Sequence, residues 1–241
     1  MLDYFRYHFG IKSLGDITWA HAVNSQEKLG SFLNNRDTMF IESDILLGMR
    51  GDLIAAHPPS TRSNLTLKEL LISLKTSKQG LKLDFKDPEA VYDALDVLAS
   101  MDLQQPVLLN ADILQGPGGK PSRFDPEEFV SSCLEKYPRG ILSLGWTTSC
   151  DPGHGYTDEQ IAYMLDAGKV LTEVTFAVRA CLLPSSWNVL QRLIEKDRYS
   201  LTIWNNEEVG KELQIWIKTH TDPNKTMYDL LDQDNNQLQV W

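Results

Sequence analysis

Residues 17–44 read ITWAHAVNSQEKLGSFLNNRDTMFIESD, and the reading of this stretch decides the fold. An apolar segment of strand length, Ile17 to Val23, carries His21; a helix candidate, Ser25 to Leu33, follows; a second apolar segment, Met39 to Leu46, carries Glu42 and Asp44. This succession is a β-α-β unit. Side chains two apart in a strand share a face, so Glu42 and Asp44 point the same way. Flanked by Phe40, Ile41, Ile45 and Leu46, the two carboxylates are expected to be buried together, and a bound cation is the usual remedy for their repulsion.

The same alternation continues outward. A helix from Thr66 carries Leu67, Leu70, Leu71 and Leu74 on one side. Further strands are predicted at Leu81 to Phe85, Pro106 to Leu114, Gly140 to Trp146, Thr172 to Cys181 and Tyr199 to Asn205. The intervening helices run from Pro88 to Ser100, Asp125 to Tyr137, Thr157 to Ala167, Pro184 to Lys196 and Glu207 to Lys218. Thr226 to Leu231 completes a set of eight strands, and Asp232 to Trp241 is a terminal tail. Eight strands with alternating helices are what an α/β, (β/α)8 TIM barrel requires, here a single domain over residues 1–241. An open doubly wound sheet is the runner-up, but no glycine-rich phosphate loop follows the first strand.

Composition narrows the function classes. With a net charge of -10 over 241 residues, the chain offers no basic surface for a nucleic-acid backbone. A hydrophobic fraction of 42% and six tryptophans fit a packed globular core. The N-terminal residues, MLDYFRYHFGIKSLGD, scatter charges through any apolar run, so neither a signal peptide nor a transmembrane segment is predicted and a cytoplasmic location is expected. Contact with a membrane surface stays compatible with this. Two glycosylation sequons, Asn64-Leu65-Thr66 and Asn224-Lys225-Thr226, keep a trimmed secreted protein as the alternative. Cys133, Cys150 and Cys181, an odd number at wide spacing, are expected to be reduced and buried. The charge run Asp229 to Asp234 reads as a solvated face.

In a barrel of this kind, functional groups gather at the C-terminal ends of the strands. Reading those ends yields His21, Glu42 and Asp44, His57 in the following loop, Asp84, Lys86, Asn110, Trp146, Arg179 and Trp204. Three carboxylates, two histidines and two cations on one rim suit a metal-assisted phosphoryl site. Oxygen ligands from Glu42, Asp44 and Asp84 favour Mg2+ or Ca2+ over zinc. By default, Trp146 and Trp204 are core aromatics. An aldolase-like use of Lys82 or Lys86 as a Schiff-base amine is the weaker chemical reading.

These residues also carry a resemblance. Ala20-His21-Ala22-Val23-Asn24, Ile41-Glu42-Ser43-Asp44, His57, Leu83-Asp84-Phe85-Lys86 and Thr202-Ile203-Trp204 resemble, in order, the motifs of the phospholipase-C-like phosphodiesterase superfamily. Glycerophosphodiester phosphodiesterases and sphingomyelinase D type phospholipases share this pattern. Nearly the whole chain, through Ala111-Asp112-Ile113-Leu114, is similar to the menorin family of animal proteins. The resemblance implies His21 and His57 as general acid and base, Glu42, Asp44 and Asp84 around the metal, Lys86 on the phosphate and Trp204 lining the substrate site. It implies a glycerophosphodiester, a lysophospholipid or a related small phosphodiester as substrate. Three positions depart from the pattern. Ala22 stands where glycerophosphodiesterases usually have Arg, which leaves that phosphate contact to Arg179 or Asn24; Pro58 follows His57; and Asp84 replaces a Glu. A barrel that kept its pocket as a ligand-binding or scaffolding protein is the alternative to turnover.

Overall fold

A computed structural model describes residues 1–151, 153–232 and 237–240. Nine strands are assigned: β1 Trp19–Ala20, β2 Phe40–Leu47, β3 Leu53–Ala55, β4 Gly80–Phe85, β5 Val107–Gln115, β6 Ile141–Thr147, β7 Val174–Arg179, β8 Tyr199–Glu208 and β9 Thr226–Leu231. The helices are α1 Leu2–Phe9, α2 Gln26–Leu33, α3 Leu67–Leu74, α4 Pro88–Met101, α5 Pro126–Lys136, α6 Asp158–Ala167, α7 Leu183–Leu190 and α8 Lys211–His220. Leaving the short β3 aside, strand order follows chain order and helices alternate with strands, the arrangement of the (β/α)8 barrel class.

The residues gather into two compact units. One contains Met1–Thr18, Asp112–Ser122 and Ser143–Trp241; the other contains Trp19–Ala111 and Arg123–Leu142. In the second, β1, β2, β4 and β5 pair in parallel, and β3 folds back antiparallel on β2, setting Ala55 opposite Ile45. In the first, β7, β8 and β9 pair in parallel.

Local chemistry explains most of the elements. The Thr66 side chain accepts from the Glu69 backbone N–H, and the Glu69 carboxylate accepts from the Thr66 N–H, a capping box that starts α3. Leu67, Leu70, Leu71 and Leu74 then lie buried on one side of it, at 3.6-residue spacing. Pro88 and Pro126 occupy first turns, where the missing N–H costs nothing. Gly80 opens β4, and a Cβ there would lie 2.7 Å from the Phe40 ring, so the position suits glycine.

Several expectations are corrected. β1 is only two residues long, so His21 sits just beyond its end rather than inside a strand to Val23. Helix α1, which the sequence reading did not predict, buries Phe5. The segment after Asn205 continues β8 to Glu208, opposite Leu231, and α8 begins only after Gly210 caps it, not at Glu207. Asp229 is 1% exposed, so the run from Asp229 is not a solvated face at its start; residues 233–236 and 241 of the tail lie outside the described residues. Cys150 and Cys181 form a disulfide, with Cα atoms 6.0 Å apart, which overturns the expectation of three reduced thiols. Their 31-residue separation hid a pairing that folding creates. Cys133 is free and buried, and burial pushes its thiol up to about 12. Among the described residues, no helix is long and apolar enough to cross a membrane.

Candidate functional site

Sheet register assembles the acidic cluster. Along β2, Glu42 lies opposite Lys82 of β4 and Asp44 opposite Asp84, which in turn lies opposite Asn110 of β5. Glu42, Asp44 and Asp84 therefore come from one face of adjacent strands, each offering an oxygen within 4.8 Å of the others'. Glu42 and Asp44 are 1% and 3% exposed. Burial, reinforced by the charge of Asp44, pushes the Glu42 carboxyl up to about 7. Burial also acts to raise Asp84, but Lys86, Lys82 and the Asn110 amide outweigh it and hold that carboxyl below its ordinary value.

Each carboxylate has named partners. The Lys86 ammonium spans two of them, 2.7 Å from Asp84 Oδ2 and 3.2 Å from Asp44 Oδ1. Asn110 donates to Asp84 (2.8 Å) and Asn24 to Asp44 (2.6 Å), while the side-chain oxygen of Asn24, Oδ1, accepts from the Asp44 N–H (3.0 Å). Glu42 accepts from the Ala22 backbone N–H at 2.6 Å, and His21 Nδ1 lies 3.8 Å from the same oxygen. Ala22 makes this contact from a left-handed backbone, φ +52°, an uncommon conformation for a residue with a Cβ. The Lys28 ammonium from α2 donates to the backbone carbonyls of His21 (2.6 Å) and Ala22 (3.1 Å).

His57 is placed differently. It is exposed, and its Nδ1 donates to the Pro58 carbonyl at 2.7 Å, which leaves Nε2 as the basic nitrogen. Among the described residues, no hydrogen bond or ion pair joins it to the carboxylates.

The three remaining predicted residues belong to the other unit. Arg179, at the end of β7, is 8% exposed, lies over the Trp204 ring (5.3 Å to its centroid) and donates to the Thr148 carbonyl and the Asn206 side chain. Trp146, at the end of β6, is buried and meets the Tyr156 ring edge-on at 5.1 Å.

The donor set fits a hard divalent cation: three carboxylates and no sulfur, with Lys86 on two of the carboxylates. Two positions escaped sequence reasoning. Lys28 lies seven residues beyond His21 in a helix and nothing in its spacing marks it, whereas Lys82 was visible as the alternating neighbour of Asp84 but not as the residue opposite Glu42.

A family model of the menorin N-terminal domain matches residues 13–235. Protein FAM151B of Homo sapiens is 36% identical over 236 residues, covering 92% of this chain and 85% of that protein. Among solved structures, a protein from Silicibacter pomeroyi assigned as a glycerophosphoryl diester phosphodiesterase superposes with a TM-score of 0.51 at 12% identity, covering 89% of each chain. That likeness bears on the fold alone, a (β/α)8 TIM barrel.

Proposed function

This chain belongs to the menorin family, and on that premise we propose that it is a divalent-metal-dependent phosphodiesterase acting on a glycerophosphodiester, a lysophospholipid or a related small phosphodiester. The observation that carries the reading is the convergence of Glu42, Asp44 and Asp84, with Lys86 laid across two of them and His21 beside the third. The likeness in fold to the Silicibacter pomeroyi protein supports the same reaction class.

Glu42, Asp44 and Asp84 would hold Mg2+ or Ca2+, which when bound polarises a phosphoryl oxygen and offsets developing negative charge. The chain's own residues do the rest. His21, with Nδ1 3.8 Å from a Glu42 oxygen, and His57, with Nε2 left basic, are the proton-transfer pair: one takes the proton of the attacking hydroxyl or water, the other protonates the leaving oxygen. Lys86 supplies a fixed positive charge to the phosphate. Asn24 and Asn110 orient Asp44 and Asp84. Trp204, Trp146 and Arg179, in the unit that contains Ser143–Trp241, are proposed as substrate-binding residues.

The organisation proposed with it is one domain over residues 1–241, because neither compact unit is continuous in sequence. The Cys150–Cys181 disulfide favours an oxidising compartment, hence the trimmed secreted form rather than the cytoplasmic expectation. A ligand-binding protein without turnover is the second reading, favoured by the exposed His57 and by Ala22 in place of the usual Arg.

Calorimetric titration of Mg2+ and Ca2+ into chelator-stripped protein, beside hydrolysis assays on a panel of phosphodiesters, tests the proposal. Wild type should bind one ion and cleave at least one diester, and Glu42→Ala and His21→Ala should lose binding and cleavage respectively. Absence of metal binding defeats the metal-dependent mechanism; metal binding without cleavage selects the second reading.

A further inference from the structure

Two Asn-X-Thr sequons stand in the chain, Asn64-Leu65-Thr66 and Asn224-Lys225-Thr226, and the folded structure separates them. In the first, both ends are used by the fold. Asn64 Oδ1 accepts from the Gln26 N–H at 3.1 Å, its amide donates to Glu27 at 3.0 Å, and the Thr66 hydroxyl starts α3 by accepting from the Glu69 N–H. Those contacts account for both residue types without a modification.

The second sequon has no such account. Thr226 opens β9, opposite Leu201 of β8, and is 0% exposed. Its Oγ1 has no hydrogen-bond partner among the described residues. A buried hydroxyl without a partner costs free energy, whereas valine has the same branching at Cβ, suits a strand as well and carries no polar atom. Packing therefore does not call for this hydroxyl. N-glycosylation does, because the Asn-X-Thr signal is read on the chain before the threonine is buried.

Asn224 is placed as an acceptor must be. It is exposed, in a turn whose Lys225 N–H donates to the Asp222 carbonyl at 3.0 Å. Asp222 Oδ1 accepts from the Asn224 backbone N–H at 2.9 Å and from its side-chain amide at 3.1 Å. The side-chain amide carries two hydrogens, so a sugar that replaces one leaves the other for Asp222. Strands β7, β8 and β9 run parallel; Asn224 precedes the start of β9, whereas Arg179 closes β7. A glycan on Asn224 thus sits at the opposite end of these strands from Arg179.

We infer that Asn224 carries an N-linked glycan. Its Nδ2 bonds the anomeric carbon of an oligosaccharide supplied as a lipid diphosphate; the carbon–oxygen bond to the diphosphate breaks, the diphosphate leaves with the electron pair, and the amide gives up one proton. The inference rests on the oxidising compartment proposed from the Cys150–Cys181 disulfide.

The full chain, sent through the secretory pathway of cultured animal cells behind a cleavable leader, is the test. Glycan release by peptide N-glycosidase in heavy-oxygen water, followed by peptide mapping, should label residue 224. Asn224→Gln and Thr226→Val should lose the label, and Thr226→Ser should keep it. In unglycosylated protein from a bacterial periplasm, Thr226→Val should unfold at a urea midpoint no lower than the wild type's, because it removes only an unpaired hydroxyl. Circular dichroism identifies any variant that has not folded, and the wild-type peptide map needs none of them. A secreted chain with Cys150 and Cys181 joined and residue 224 bare overturns the glycan alone; one with both thiols free overturns the compartment reading and the inference with it. A label that survives Thr226→Val, or a lower urea midpoint for that variant, also overturns the inference, the latter by showing that the folded state uses the hydroxyl.

Discussion

Without divalent cations, Glu42 should make the protein less stable as pH rises towards neutrality. Burial and the neighbouring Asp44 push its carboxyl up to about 7, from an ordinary 4.5. Between those values the folded state keeps a proton that the unfolded state has lost, so unfolding free energy falls with rising pH. Stabilisation by the retained proton is complete below 4.5 and gone above about 7. At about 1.4 kcal/mol per pH unit, the window amounts to about 3 kcal/mol, a large share of an ordinary domain's stability. Glu42→Gln preserves the shape and removes the titration, so its stability should stay nearly level across the same window. The assay is urea unfolding in EDTA at pH 5, 6, 7 and 8 for both proteins, followed by pH 8 with Mg2+ or Ca2+. A cation at a hundred times its Kd should restore about 2.7 kcal/mol to wild type and far less to the variant. Superimposable pH profiles for the two proteins would refute the reasoning.

Three further outcomes follow from individual contacts. Lys86→Met leaves Asp44 and Asp84 without their shared ammonium, so the metal-free protein should lose about 3 kcal/mol by urea midpoint, and an added divalent cation should recover most of it. Cys150→Ser opens a loop of 31 residues, and on the chain-entropy model should cost about 3 to 4 kcal/mol; dithiothreitol should lower the wild-type midpoint to match. His57→Ala should reduce kcat of diester cleavage about 10²- to 10⁴-fold with unchanged metal affinity, because among the described residues the exposed ring pairs with no carboxylate; a fall in calorimetric metal affinity would place it in the metal site instead.

Much of the fold was legible because its signals are local. Period-two alternation and apolar flanks located the strands that carry Glu42, Asp44 and Asp84 to within a residue or so at their ends. The helix starts at Thr66, Pro88, Pro126 and Thr157 follow from cap chemistry within one turn. Where local cues competed, the reading slipped: Glu207 and Glu208 looked like a helix start, and pairing with β9 kept Glu208 in the strand.

The sequence by itself determined which residue types stand at the strand ends, and so the chemistry on offer: hard oxygen ligands, two histidines and a lysine. Only the tertiary structure decided who meets whom. Register set Asp44 beside Asp84 and Glu42 beside Lys82; folding laid Lys86 across two carboxylates, brought Lys28 to the backbone of His21, joined Cys150 to Cys181 and buried Arg179. The physical reason is range. Periodicity and capping act within a few residues along the chain, whereas charge pairing, burial and disulfide formation depend on distances that exist only once remote segments have packed.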